Sequence, residues 1–99
     1  MRLTAEQSLL IRKAVQKRFG EAARVWLFGS RVNDNARGGD IDLLVEVDDV
    51  ISQPFTASIG LETELQNLLG DQKIDILLQH GMLPPSPIQE IAKATGIQL

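Results

Sequence analysis

The chain has 99 residues, 43% of them hydrophobic and 23% charged, which predicts a single globular domain over residues 1–99. Ten basic and thirteen acidic side chains give a formal net charge of −3, which argues against direct nucleic-acid binding. The absence of cysteine excludes disulfides and thiolate metal sites. No apolar run approaches the ~20 residues that span a bilayer, and the N-terminus is unlike a signal peptide. We therefore expect a cytoplasmic protein with no membrane association.

The first predicted elements are a helix and two strands. Thr4-Ala5-Glu6-Gln7 fits a capping box that begins a helix, and Gly20 is a natural end for it. This helix carries basic residues that form either a solvated face or a docking patch. A short strand over residues 24–28 ends at Gly29. The second strand, residues 40–47, alternates, with one face of Ile41, Leu43, Val45 and Val47 and another of Asp40, Asp42, Leu44 and Glu46.

A helix, a third strand and a last helix complete the predicted order. The second helix covers residues 55–69 and closes at Gly70, and the third strand covers residues 73–79. Ser86-Pro87 opens the last helix and Gly96 ends it. We expect its inner stripe to contain Ile88, Ile91, Ala92 and Thr95. The economical architecture is an α+β fold with a three-stranded sheet, covered by helices on one side.

Three aspartates form the main candidate site. Asp40 and Asp42 project from the same face of a strand, about 6 to 7 Å apart along the backbone, so their carboxylates can converge on divalent ions. Mg²⁺ suits such a site because it prefers carboxylate oxygen and binds substrate phosphates. Asp75 joins them if the second and third strands pair in the natural register. In the alternative interpretation, each aspartate decorates a solvent-exposed face, as we expect for Glu46, Asp48 and Asp49.

Gly29 and Ser30 form a candidate phosphate site. A strand that ends in Gly-Ser before a possible helical turn exposes backbone N–H groups and a hydroxyl, which can hold a phosphate. The alternative is a tight turn at Gly29 with Ser30 as a cap. No Walker loop is present, because no Gly-Lys-Ser/Thr follows. Together with the carboxylates, this layout is the one expected for two-metal nucleotidyl transfer.

Three segments in order resemble the DNA polymerase beta-like nucleotidyltransferase superfamily. They are Phe28-Gly29-Ser30-Arg31, then Asp40-Ile41-Asp42-Leu43-Leu44-Val45, and later Lys73-Ile74-Asp75-Ile76-Leu77. Within that superfamily, the short chain is similar to the minimal nucleotidyltransferases, the MntA-type antitoxins of prokaryotes. One departure is Gly38-Gly39, where relatives commonly carry polar residues.

The resemblance implies a nucleotidyltransferase fold, with a small mixed three-stranded sheet flanked by about four helices. It implies that Asp40 and Asp42 bind Mg²⁺, with two ions in the site, and that Asp75 is the third catalytic and metal-binding carboxylate. Gly29 and Ser30 are then expected to hold the phosphates of ATP, and Arg31 to contact phosphate or acceptor. Such proteins are typically encoded beside a HEPN-type ribonuclease toxin and transfer AMP to one of its tyrosine hydroxyls.

Three other functions stay open at this point. The chain could be an antitoxin that neutralises by contact alone, it could transfer a nucleotide to a small molecule, or it could be a metal-dependent nuclease. The chain is short for enclosing a small acceptor, and a nuclease leaves Gly29-Ser30 unexplained. Because so small a domain has a modest core, we also expect a homo- or hetero-oligomer. His80 is interpreted as a loop-end residue and Trp26 as part of the core.

Overall fold

The structure is a computed structural model that describes residues 3–29, 40–70, 72–81, 84 and 86–99. These residues form three helices and four strands. In chain order they are α1 (Ala5–Phe19), β1 (Arg24–Phe28), β2 (Ile41–Val47), α2 (Pro54–Leu69), β3 (Ile74–His80), α3 (Pro87–Thr95) and β4 (Ile97–Gln98). No helix in this part of the chain is long and apolar enough to cross a membrane.

The helix ends follow the capping signals in the sequence. At α1, the Thr4 hydroxyl accepts a hydrogen bond from the Gln7 backbone N–H at 3.0 Å, and the Gln7 side chain accepts one from the Thr4 N–H. Ser86 and Gln89 form the same reciprocal pair at α3. Glycines follow the last residues of all three helices. The capping box predicted at Thr4 and the helix start predicted at Ser86-Pro87 are therefore confirmed.

The four strands form one mixed sheet in the order β3-β2-β1-β4. β1 pairs antiparallel with both β2 and β4, whereas β2 and β3 run parallel and are connected through α2. The expected three-stranded sheet was therefore wrong by one strand, because Ile97 and Gln98 form β4 directly after Gly96. The resemblance implied about four helices, whereas the described residues form three.

Helices cover both faces of the sheet, which corrects the expectation of helices on one side. α1 and α2 pack on the face of Leu27, Leu43 and Val45, which forms the larger core cluster. On the other face, Trp26, Leu44 and Ala92 of α3 form a second, smaller cluster, so Trp26 is a core residue as expected. The sheet face that carries the aspartates is therefore also the one on which α3 packs.

The inner stripe expected for α3 was largely wrong. Ala92 is 1% exposed, but Ile88 and Ile91 are 54% and 61% exposed, and Thr95 is exposed too. The small side chain of Ala92 lets the helix backbone approach Trp26 and Leu44 closely, so the helix rests on this residue. Helical spacing identified an apolar stripe without showing which of its members the sheet covers.

Candidate active site

The structure brings Asp42 and Asp75 together at one end of the sheet. Asp42 lies in β2 and Asp75 in β3, and they are direct partners in the parallel register. Register partners project from the same face of a sheet, which confirms the predicted alignment of Asp75 with Asp42. Asp40 comes immediately before β2, and its neighbour Ile41 donates a backbone hydrogen bond to Lys73. The three aspartates therefore lie at the same end of the sheet, where β2 and β3 begin.

Gly29 lies beside Asp42 because β1 ends there. Phe28 is the antiparallel partner of Asp42, so the next residue, Gly29, passes close to the Asp42 side chain. Gly29 has φ +76°, and a Cβ atom at this position would collide with the Asp42 carboxylate. Glycine is therefore required both for the backbone conformation and for the space that the carboxylate occupies. Its predicted neighbours in the phosphate site, Ser30 and Arg31, lie outside the described residues, as do Gly38 and Gly39.

The Asp42 carboxyl group lies in surroundings that disfavour its charge. Partial burial raises the pKa of Asp42, and the nearby carboxylates of Asp75 and Asp40 raise it further. Lys73 acts in the opposite direction on that pKa without cancelling the shift. A bound cation would reverse this balance, because it would compensate the repulsion between the carboxylates.

Lys73 is a site residue that sequence reasoning missed. Its Nζ lies 3.8 Å from the Asp40 Oδ2, and both side chains are more than half exposed, at 68% and 51%. An exposed ion pair of this length contributes little to stability. Its position is nevertheless informative, because the parallel register places the residue before β3 beside the residue before β2. The signal was available in the sequence, where Lys73 precedes Ile74-Asp75 as Asp40 precedes Ile41-Asp42.

The opposite end of the same sheet face carries charges that are paired. Arg24 of β1 lies opposite Glu46 of β2 and donates to it from Nε at 2.8 Å, and Lys93 of α3 donates to the other Glu46 oxygen at 2.9 Å. Arg24 also donates to Asp48 at 2.8 Å. Burial alone would raise the pKa of Glu46, but the hydrogen bonds from Lys93 and Arg24 outweigh it and lower that pKa. Glu46 is thus a paired, largely buried group, and its expected role as a solvated edge charge was wrong.

His80 has a structural contact. It is the last residue of β3, and its Nδ1 accepts a hydrogen bond from the Ile51 backbone N–H at 2.9 Å. This bond joins the end of β3 to the segment that leads into α2. His80 therefore belongs to the strand and not to the loop in which it was expected.

The donor set of the aspartate end fits Mg²⁺ chemically, although no preformed cage is present. Among the described residues, no three His, Cys, Asp or Glu side chains form a group that could hold a metal ion. Mg²⁺ is commonly bound by one or two carboxylates together with waters and substrate phosphates, so such a cage is not required. The neighbouring carboxylates of Asp42 and Asp75, with Asp40 nearby, are oxygen donors of the type that Mg²⁺ prefers, and a cation between them would relieve their repulsion.

The site combines carboxylates at the start of two parallel strands with a glycine at the end of a third strand. This arrangement is of the type used for phosphoryl and nucleotidyl transfer. The model of the family described as "Polymerase beta, Nucleotidyltransferase" matches residues 10–98 of the chain. The chain therefore belongs to this family, which indicates nucleotidyl transfer as its general chemistry. No curated protein matches the chain at a significant level.

Proposed function

We propose that the protein is a Mg²⁺-dependent nucleotidyltransferase that moves AMP from ATP to a tyrosine hydroxyl of a HEPN-type ribonuclease toxin. In this proposal it acts as the antitoxin of a cytoplasmic toxin–antitoxin pair. The observation that carries the chemistry is the direct register pairing of Asp42 with Asp75, with Asp40 at the same edge. The family match supports nucleotidyl transfer, and the resemblance of the three sequence segments to minimal nucleotidyltransferases supports the partner and the acceptor.

Asp40, Asp42 and Asp75 are the residues that would hold two Mg²⁺ ions. When bound, Mg²⁺ neutralises phosphate charge and lowers the pKa of an acceptor hydroxyl. Gly29, Ser30 and Arg31 are assigned to the phosphates of ATP, with the assignment of Ser30 and Arg31 resting on the sequence motif alone. Among the described residues, Lys73 adds a cationic side chain beside these aspartates, with its Nζ 3.8 Å from the Asp40 Oδ2.

The transfer exchanges one phosphorus–oxygen bond for another. The acceptor oxygen forms a bond to the α-phosphorus of ATP, while the bond from that phosphorus to pyrophosphate breaks. Asp75 is exposed, and in this proposal it accepts the hydroxyl proton as the new bond forms. Asp42 is less exposed and is packed between Gly29 and Asp75, which suits a ligand whose position must stay fixed.

The proposal is tested with α-labelled ATP, Mg²⁺ and the product of the neighbouring gene. Label should be transferred to that protein by the wild type and not by Asp42→Asn. The matched control is Glu46→Gln, which removes a carboxylate from the same face of β2 outside the site and should leave labelling intact. Neutralisation of the toxin by an Asp40/Asp42 double variant, with no labelling by the wild type, would instead support an antitoxin that acts by contact alone.

Metal binding gives a second readout that does not depend on the acceptor. Mg²⁺ with a non-hydrolysable ATP analogue should raise the melting temperature of the wild type, because a ligand that binds only the folded state stabilises it. Asp42→Asn should lose this increase, whereas Glu46→Gln should retain it. Equal increases in all three proteins would place the metal elsewhere.

A further inference from the structure

A groove separate from the aspartates lies between α1 and β4. It has a volume of about 450 Å³ and is lined mainly by apolar atoms of Ala5, Ser8, Leu9, Ile97 and Leu99, with Arg12 at one side. Because α1 packs on the sheet face opposite the one that carries Asp42 and Asp75, the proposed nucleotidyl-transfer chemistry does not use this groove.

α1 carries two stripes at helical spacing, and only one of them faces the core. Ile11, Ala14 and Val15 are buried against the sheet. Ala5, Ser8, Leu9 and Arg12 follow the spacing i, i+3, i+4, i+7 and line the groove, with Leu9 40% exposed. The second stripe begins apolar and ends in a cation, so the groove has an apolar part and a basic part.

The other wall of the groove is β4, which lies at the edge of the sheet among the described strands. Gln98 of β4 is the register partner of Trp26, and the next residue, Leu99, donates its N–H to the Val25 carbonyl at 2.9 Å. Hydrogen-bonded and non-hydrogen-bonded pairs alternate along an antiparallel ladder, so the backbone N–H and C=O of Gln98 point away from β1. Among the described strands, β4 is the last in the sheet on that side. This edge can accept one more strand.

Two polar groups of the groove wall have no partner in the described part of the chain. Arg12 makes no ion pair there, in contrast to Arg18, which pairs with Glu64 at 2.9 Å. The Ser8 hydroxyl oxygen is buried and has no hydrogen-bond partner among these residues. A bound segment that brings an acidic group to Arg12 and a hydrogen-bonding group to Ser8 would satisfy both.

We propose that this groove binds an extended peptide segment of a partner protein, which adds to the free edge of β4. Its backbone pairs with Gln98, apolar side chains at alternate positions contact Leu9, Ile97 and Leu99, and an acidic side chain pairs with Arg12. A second copy of the chain fits less well, because the groove lining contains the cation Arg12 and no acidic side chain, so two copies that meet through it would leave both Arg12 side chains without an ionic partner. The proposal does not depend on the nucleotidyltransferase activity.

The probe is a fluorescein-labelled synthetic peptide of alternating valine and threonine that ends in two glutamates, titrated with the full chain. Its control replaces both glutamates with lysine. The wild type should bind the acidic peptide more tightly, and amide shifts should include Gln98. Arg12→Glu should weaken this binding about tenfold and improve binding of the lysine peptide. Lys13→Glu is the matched control, because it makes the same charge change outside the groove lining and should have little effect.

The backbone contact is tested with Gln98→Pro, which removes the outward N–H without removing a ladder hydrogen bond, and with Gln98→Ala, which keeps that N–H. With the melting temperatures of both variants unchanged, only the proline variant should lose affinity. Equal binding of the two peptides, or equal losses in Arg12→Glu and Lys13→Glu, would overturn the proposal. So would concentration-dependent dimerisation that Gln98→Pro abolishes, since the occupant would then be a second copy.

Discussion

Asp42 and Glu46 lie on the same face of β2, at opposite ends of it, in contrasting electrostatic surroundings. Burial acts to raise the pKa of both carboxyl groups. At Asp42, the carboxylates of Asp75 and Asp40 add to the effect of burial, so its pKa is raised. At Glu46, hydrogen bonds from Lys93 and Arg24 outweigh burial, so its pKa is lowered. The Glu46 end of the strand therefore stabilises a negative charge, whereas the described residues around Asp42 disfavour one.

This difference separates the end of the face that holds structural ion pairs from the end that carries the proposed functional aspartates. Lys93 of α3 donates a hydrogen bond to Glu46, and its Nζ lies 5.0 Å from the centroid of the Trp26 ring. The contacts at the Glu46 end of the strand therefore stabilise the packing of α3 on the sheet. The repulsion at the aspartate end reduces stability, and proteins commonly retain such local conflicts at functional sites. Four tests can distinguish the two ends, in order of decreasing expected effect.

The largest effect is expected from replacing Asp42, which removes a proposed metal ligand and a source of repulsion together. Asp42→Asn should reduce the rate of AMP transfer by about a thousandfold or more while leaving the melting temperature unchanged or higher. Labelling rates and thermal unfolding measure the two results. A variant that loses both activity and stability would show that Asp42 supports the fold, as Glu46 does at the other end.

Gly29 tests whether the space beside Asp42 is needed. Gly29→Ala should destabilise the fold by about 1 to 3 kcal/mol, from the positive φ and the collision with the Asp42 carboxylate together. Gly70→Ala is the matched control, because Gly70 has φ +91° and a Cβ atom there would meet no described neighbour within 4 Å. Urea unfolding of both variants measures the difference. If both substitutions are equally destabilising, the collision contributes nothing.

The paired end is broken by Glu46→Gln, which removes the charge that Arg24 and Lys93 share. We expect a loss of about 1 kcal/mol in the free energy of unfolding, with activity retained, because partly exposed ion pairs contribute modestly. Asp48→Asn is the control at the exposed margin of the same network, where the side chain is 64% exposed and little change is expected. A loss of activity in Glu46→Gln would link the two ends functionally.

The smallest effect is the pH dependence, which should differ in sign between the ends. The folded-state pKa of Asp42 lies above its ordinary value of 3.8, so its destabilisation is absent below that pH and grows as the pH rises through the folded pKa. The folded-state pKa of Glu46 lies below 4.5, so its stabilisation is complete above that pH and is lost as the pH falls through the folded pKa.

Unfolding of the wild type and the two isosteric variants from acidic to neutral pH measures this contrast. The advantage of Asp42→Asn over the wild type should appear as the pH rises, and the deficit of Glu46→Gln should disappear as the pH falls. Parallel stability curves for all three proteins would contradict both assignments.

Local signals in the sequence predicted most of the elements and the alignment of Asp42 with Asp75. Capping residues and glycines mark the helix ends, and alternation along two strands identifies the face of each aspartate. β4 escaped prediction because two residues after Gly96 carry no alternation. Leu44 and Leu77 lie on the sheet face that carries the aspartates, which indicates that this face is also covered. Alternation alone does not show which helix packs there.

The predicted site needed contacts that sequence patterns do not contain. The sequence indicated Gly29 as part of a turn, but its contact with Asp42 depends on the pairing of β1 with β2. The charge network around Glu46 likewise depends on the path of α3. The position of Lys73 beside Asp40 follows from the sequence once the parallel register of β2 and β3 is known. The roles of the aspartates as metal ligands and of Ser30 and Arg31 at phosphate stay predictions.

The parallel pairing of β2 with β3 has a kinetic consequence. Asp42 and Asp75 meet only after α2 has returned the chain across the sheet, so their repulsion is absent from a folding transition state in which β2 and β3 are still unpaired. A contact absent from the transition state affects the unfolding rate and not the folding rate. We therefore expect Asp42→Asn to slow unfolding in stopped-flow urea experiments while folding proceeds at the wild-type rate. An equal change in the folding rate would show that the two strands pair early.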